Sequence, residues 1–196
     1  MPKTSNSPLT KRDEIILIAS DLFYRQGYGA TGIKQIIDQA GIAKGTFYSH
    51  FASKEILGTE WLRKRHFDWN TWLDESIKFE ETAGAKILAA FDFLKKWLTD
   101  SDFRGCAFIN TMAEIPDAAS PMRAETLNHK KHLLSKFQKL VADHSPADTT
   151  DQQEHIGSSI FLLFEGALVE SQNFQETWAV DSAKRQVQSL LQSTQK

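Results

Sequence analysis

Between Thr10 and Gly27, apolar residues recur at Ile15, Ile18, Ala19, Leu22 and Phe23, the three-and-four spacing of a single helix face. Thr10 stands where an N-cap belongs, Asp13 and Glu14 fall in the first turn, and Gly27 stands where a helix stops. A short second helix is predicted from Thr31, which can cap it, with Ile33, Ile36, Ile37 and Ala40 on its inner side and Gly41 at the turn. A very short third helix is predicted over 43–49. Ser53 then caps a long fourth helix opened by Lys54 and Glu55. At about 100° per residue, Leu62, His66, Trp69, Leu73 and Ile77 of that helix form one stripe. Further helices are predicted at about 83–100, 103–115, 119–144, 151–174 and 177–193. No proline lies between Leu9 and Ile115, and valine occurs four times in the chain, which disfavours sheet. The fold class expected is all-α, with about nine helices and a disordered tail over residues 1–8.

Composition narrows the function classes. The 196 residues are 41% hydrophobic, with 13 Phe, 5 Trp and 3 Tyr, enough to build a core without metal or disulfide staples. The longest apolar runs have five residues, as at 15–19 and 160–164, far from the roughly 20 of a membrane span. The polar first ten residues do not read as a secretion signal. A cytoplasmic protein with no membrane partner is the expectation. The single cysteine, Cys106, excludes an internal disulfide framework, and its apolar neighbours Ala107 and Phe108 favour a buried structural thiol. The net charge of −2 conceals an asymmetry. Residues 1–66 hold ten basic against six acidic residues, a net of +4, and the remainder holds 13 against 19, a net of −6. A basic head suits a polyanion, although the excess is also within ordinary fluctuation.

Two short helices joined by the tight turn at Ala40–Gly41, followed by a long helix, match a helix-turn-helix. The second short helix would lie in a major groove roughly 12 Å wide while the first braces it across the backbone. Ile36, Ile37, Ile42, Phe47 and Phe51 are placed to hold the braces together. In this stretch the chain resembles the TetR family of bacterial transcriptional regulators. The resemblance is carried by Phe23, Gly27–Tyr28, Thr31, Ile33, Ile36 and, most specifically, AGIAKGTFYSHFASKEIL at 40–57. It covers about residues 9–58. It implies a DNA-binding domain over 9–55, with 43–49 as recognition helix, and a helical ligand-binding and dimerisation domain over 56–196. It places Lys44 and Thr46 at base or phosphate contacts, Tyr48 and His50 at phosphate contacts, and Lys54 at a phosphate clasp. The physics of a helix N-terminus carrying a lysine agrees with that clasp. Ala43, Lys44 and Ser49 are the expected base readers, Lys44 being the strong donor. Thr31, at the start of the second helix, is expected to hold another phosphate in the same way. Thr31 and Ser53 have a second reading as plain helix caps, Tyr48 as a packing residue and His50 as a surface histidine.

For the remainder, the resemblance implies a ligand pocket and a homodimer. His66 interrupts an apolar stripe, and a buried histidine needs a hydrogen-bond partner, from ligand or protein. Trp69, Phe108, Asn110 and Glu114 complete the expected pocket residues. Ile156, Ile160, Leu163 and Ala167 on one helix, with Val180 and Val187 on the next, are the expected dimer contacts. His129 and His132 are placed on a solvated face opposite Leu127, Leu133, Leu134, Phe137 and Val141, which argues against a metal. No glycine-rich phosphate loop, HExxH pair or nucleophile elbow occurs, so neither a cofactor nor a catalytic residue is assigned. The function expected is a ligand-responsive repressor of double-stranded operator DNA. A helical carrier or enzyme without DNA function is the alternative.

Overall fold

The computed structural model describes residues 9–193, and the expected tail at 1–8 lies outside them. Among the described residues the chain forms helices and no strand. In order they are α1 (Lys11–Gln26), α2 (Ile33–Ala40), α3 (Lys44–His50), α4 (Lys54–Ile77), α5 (Ala83–Asp100), α6 (Ala107–Glu114), α7 (Pro121–His144), α8 (Thr150–Phe174) and α9 (Trp178–Ser193). None of them is long and apolar enough to cross a membrane.

Local chemistry sets the ends. At α1 the Thr10 hydroxyl accepts the Asp13 N–H at 3.2 Å, and the Asp13 carboxylate accepts the Thr10 N–H in return. Thr149 and Gln152 repeat this reciprocal cap at α8, and Ser53 accepts the Ile56 N–H at 3.1 Å at α4. Gly41, at φ 61°, closes α2 in the left-handed conformation and turns the chain toward α3. The sixth helix starts later than the 103 expected. Asp102, Phe103 and Gly105 all take positive φ (52°, 52° and 77°), which no helix tolerates.

The described residues pack as two compact units. The first holds the chain up to Trp69 together with Ala107–Leu127. Its core is Ile15, Ala19, Phe23, Ile36, Phe47, Phe51, Leu57 and Leu62, all essentially without exposure. Phe23 lies with its ring 5.2 Å from both Tyr28 and Trp61. Ile37 and Ile42, expected in this core, are half-buried.

The second unit holds Asn70–Cys106 and the chain from Asn128 onward. Phe91, Phe137 and Phe164 from α5, α7 and α8 meet at its centre, with Phe164 within 5.3 and 5.4 Å of the other two rings. The pairs Lys95–Asp181 and Lys184–Asp92 join α5 to α9. Gly157 allows α8 to cross α7 closely, since a Cβ there would meet the Cα of Gln138 at 2.6 Å. On α7 the buried stripe runs through Met122, Thr126, His129, Leu133, Phe137 and Val141. Two expectations are corrected here. His129 is buried, whereas Leu127 is 50% exposed. The leucines suggested a face rotated by part of a turn from the one that packs, and only His132 of the two histidines lies on the solvated side.

Candidate nucleic-acid interface

The three-residue link of Gly41, Ile42 and Ala43 places α3 immediately after α2. Phe47 is the anchor of α3, wholly buried and 6.0 Å from the Phe51 ring. With that side chain turned inward, Ala43, Lys44, Tyr48, Ser49 and His50 are exposed and Thr46 is half-buried. Tyr48 stands edge-on to Phe47 at 5.2 Å and keeps 43% of its surface open. The Lys44 ammonium lies 5.9 Å from the Tyr48 ring centre, so cation and phenol share one surface. The Ser49 hydroxyl already donates to the Thr46 carbonyl at 2.8 Å, which leaves it mainly an acceptor.

Lys54 opens α4 and is half-buried. Its ammonium sits 4.2 Å from the centre of the Tyr28 ring and 3.5 Å from the Gly29 carbonyl oxygen. Burial lowers the Lys54 pKa, and the Glu114 carboxylate opposes that shift. Tyr28 is pushed up to about 12, chiefly by burial and then by the Glu55 charge, so it stays neutral.

Thr31 departs from its expected role. Helix α2 begins at Ile33 with Gly32 as its N-cap and no side-chain cap. Thr31 is fully buried, and its hydroxyl donates to the Gly27 carbonyl at 2.8 Å. Fully buried and turned back toward α1, this hydroxyl is not open to a phosphate and does not cap α2.

Of the five expected pocket residues, Trp69 and Phe108 are buried, and His66 and Asn110 are half-buried. Glu114 is corrected: it is exposed, and its carboxylate accepts the Gly29 N–H in the turn between α1 and α2. The expected dimer contacts are also corrected. Ile160, Ala167, Val180 and Val187 are at most 4% exposed within one chain, covered where α5, α8 and α9 pack together. Residues already enclosed by their own chain cannot meet a second copy. Ile156 and Leu163 are half-buried.

Residues 15–58, which carry this helix-turn-helix, match the family model described as bacterial regulatory proteins, tetR family. This helix-turn-helix segment is that of the TetR family. The first 60 or so residues are where sequence likeness concentrates: the chain is 41% identical over 68 residues to the HTH-type transcriptional repressor KstR2 of Mycolicibacterium smegmatis, covering 35% of this chain and 33% of that one. It is 25% identical over 115 residues to the repressor NemR of Escherichia coli K12, covering 58% of each. The chain thus spans only a third to somewhat over half the length of these curated relatives. Likeness of fold runs further. The TetR-family regulator SCO4454 of Streptomyces coelicolor superposes with a TM-score of 0.86 over 95% of this chain and 96% of that one, at 24% identity. Reduced E. coli NemR superposes with a TM-score of 0.80 over 92% and 97%, at 16% identity.

Within this TetR-family head, sequence reading missed Arg12 altogether and missed the contact that Glu114, expected in the pocket, makes instead. Arg12 lies 5.1 Å from the Phe51 ring centre and pairs with Glu60 at 2.8 Å, tying α1 to α4. Glu114 reaches the head from 85 positions along the chain. Arg12 sits on α1 with a polar neighbourhood and carries no local signal of its partner. Contacts of this separation are invisible to periodicity.

Proposed function

We propose that this chain is a TetR-family, ligand-responsive transcriptional repressor that binds operator DNA as a homodimer and is released by a small molecule. The proposal takes residues 9–55 as the DNA-binding domain and 56–196 as the ligand-binding and dimerisation domain. Its place is the cytoplasm, and it has no catalytic activity. The observation that carries the reading is the exposed surface of α3, where Lys44, Tyr48 and His50 are open to solvent around the buried anchor Phe47, with Lys54 opening α4 and its ammonium over the Tyr28 ring. A cation at a helix start suits a phosphate, and an exposed lysine on a groove-sized helix suits a guanine edge. The names of the relatives KstR2 and NemR support repression.

In the dimer, two α3 helices would enter successive major grooves roughly 34–36 Å apart. Effector binding would change that separation, and a coupling of about 1–3 kcal/mol would change operator affinity roughly 5–150-fold. His66, Trp69, Phe108 and Asn110 remain the pocket residues of this proposal. The face meeting the second copy is reassigned to the open side of α8 and the start of α9: Leu162 (67% exposed), Gly166, and the edge-to-face pair Phe174 and Trp178.

The test is Lys44→Ala and Tyr48→Ala, singly and together, in titrations against duplex DNA from the region flanking the coding sequence. Lys44→Ala should cost about 1–3 kcal/mol of binding and relax sequence preference. Tyr48→Ala should weaken all duplexes alike. Unchanged affinity in the double variant would remove α3 as the recognition element.

A further inference from the structure

We infer that Glu114, at the C-terminal end of α6, is a positioning residue for the DNA-binding surface: it holds the Gly29 peptide against which the Lys54 ammonium is set. The inference rests on the reading of Lys54 as a phosphate contact and deepens it.

The Gly29 N–H donates to the Glu114 carboxylate, and the Gly29 carbonyl oxygen lies 3.5 Å from the Lys54 ammonium. One residue of the α1–α2 turn is therefore held at both polar groups, by an anion on one side and by the proposed phosphate-binding cation on the other. The adjacent Tyr28 supplies the ring over which that ammonium rests at 4.2 Å. The carboxylate lies close to both glycines of the turn. A Cβ on Gly27 would meet Oε1 at 2.9 Å, and one on Gly29 would meet Oε2 at 3.1 Å. Gly27, at φ 99°, also needs its backbone freedom. Gly29 has no positive φ, so the space it leaves for the carboxylate is the reason for a glycine there. The Glu114 charge also favours the ammonium form of Lys54 against burial.

Glu114 is itself held in place. It belongs to a strap, residues 107–127, that fastens to α4 at two further points: Ser120 donates to Glu55 at 2.7 Å, and Arg63 pairs with Glu125 at 2.7 Å. Within the strap, Arg123 donates to the Ile115 carbonyl at 2.8 Å, one residue beyond Glu114. Any shift of the end of α6 therefore moves the acceptor of the Gly29 N–H. A carboxylate beside a phosphate site opposes DNA by charge, so its contribution here is geometric.

The experiment compares wild type, Glu114→Gln, Glu114→Ala and Gly29→Ala in duplex titrations at several salt concentrations, with thermal unfolding of each. Glu114→Gln keeps an acceptor for the N–H and should bind within about threefold of wild type. Glu114→Ala should bind roughly tenfold more weakly, with a salt slope smaller by about one, the signature of one lost phosphate contact. Gly29→Ala, which displaces the carboxylate without removing it, should act in the same direction; it serves as the second variant if Glu114→Ala unfolds. Wild-type affinity and slope in folded Glu114→Ala, or tighter binding by it, would overturn the inference. Failure of wild type to bind any duplex would instead overturn the proposed function.

Discussion

The hydroxyl of Thr31 donates to a buried carbonyl at the end of α1, two residues before α2 begins. Its energetic role is therefore in folding rather than in binding. Thr31→Val keeps the shape and leaves the Gly27 carbonyl without that donor, so it should cost about 1 kcal/mol of stability in urea unfolding. At matched folded fraction its duplex affinity and salt slope should equal those of wild type, whereas a slope reduced by about one would restore a phosphate role. The sequence made Thr31 look like a cap because a threonine before an apolar run usually is one. The deciding fact, a start two residues later at Ile33, depends on how Gly27 and Tyr28 turn the chain. The exposure of Lys44 and Tyr48 was legible in the sequence because their surroundings are set by neighbours within one turn. Lys54 was picked out by its place at the start of α4, whereas its partners Tyr28 and Gly29 lie far back along the chain. The contact of Glu114 was not legible, because its partner is 85 positions away.

Helix boundaries show the same division between local and distant causes. The starts of α1 and α4 follow Thr10 and Ser53, whose side chains cap them, and both were readable in advance. The face that α7 buries was not, because a helix with Leu127, Leu133 and Leu134 at several angles can pack in more than one rotation. What holds α1 to α4 carries a pH signature. Hydrogen bonds from Arg12 and Arg63, against the opposing effect of burial, hold the Glu60 pKa below the usual carboxylate value. A depressed folded-state pKa stabilises the protein above the ordinary carboxylate range, and that contribution is lost as pH falls through the folded value. Glu60→Gln should therefore be less stable than wild type at neutral pH. The difference should shrink between about pH 5 and pH 3 when unfolding midpoints are compared. An equal difference at both ends would show that Glu60 contributes shape rather than charge.

At the scale of the molecule, the apolar stripe of α9 is consumed by its own chain. Val180, Ala183, Val187 and Leu191 are buried within a single copy. Apolar surface is left open on the other side of α8 and at the α8–α9 corner, where Leu162, Phe174 and Trp178 are exposed, and the proposed homodimer would use it. Leu162→Glu with Trp178→Glu should halve the mass seen by sedimentation equilibrium while leaving helix content unchanged, and should weaken duplex binding because two linked heads become one. A variant that still sediments as a dimer would place the interface elsewhere. The central claim concerns DNA, and the most direct measurement of it is the affinity of wild-type protein for duplex from its own flanking region against a scrambled duplex, across a salt series. The account predicts a linear fall of log affinity with log salt and a preference of at least about 10³ for the flanking sequence. Equal and weak binding to both duplexes, or binding indifferent to salt, would contradict it.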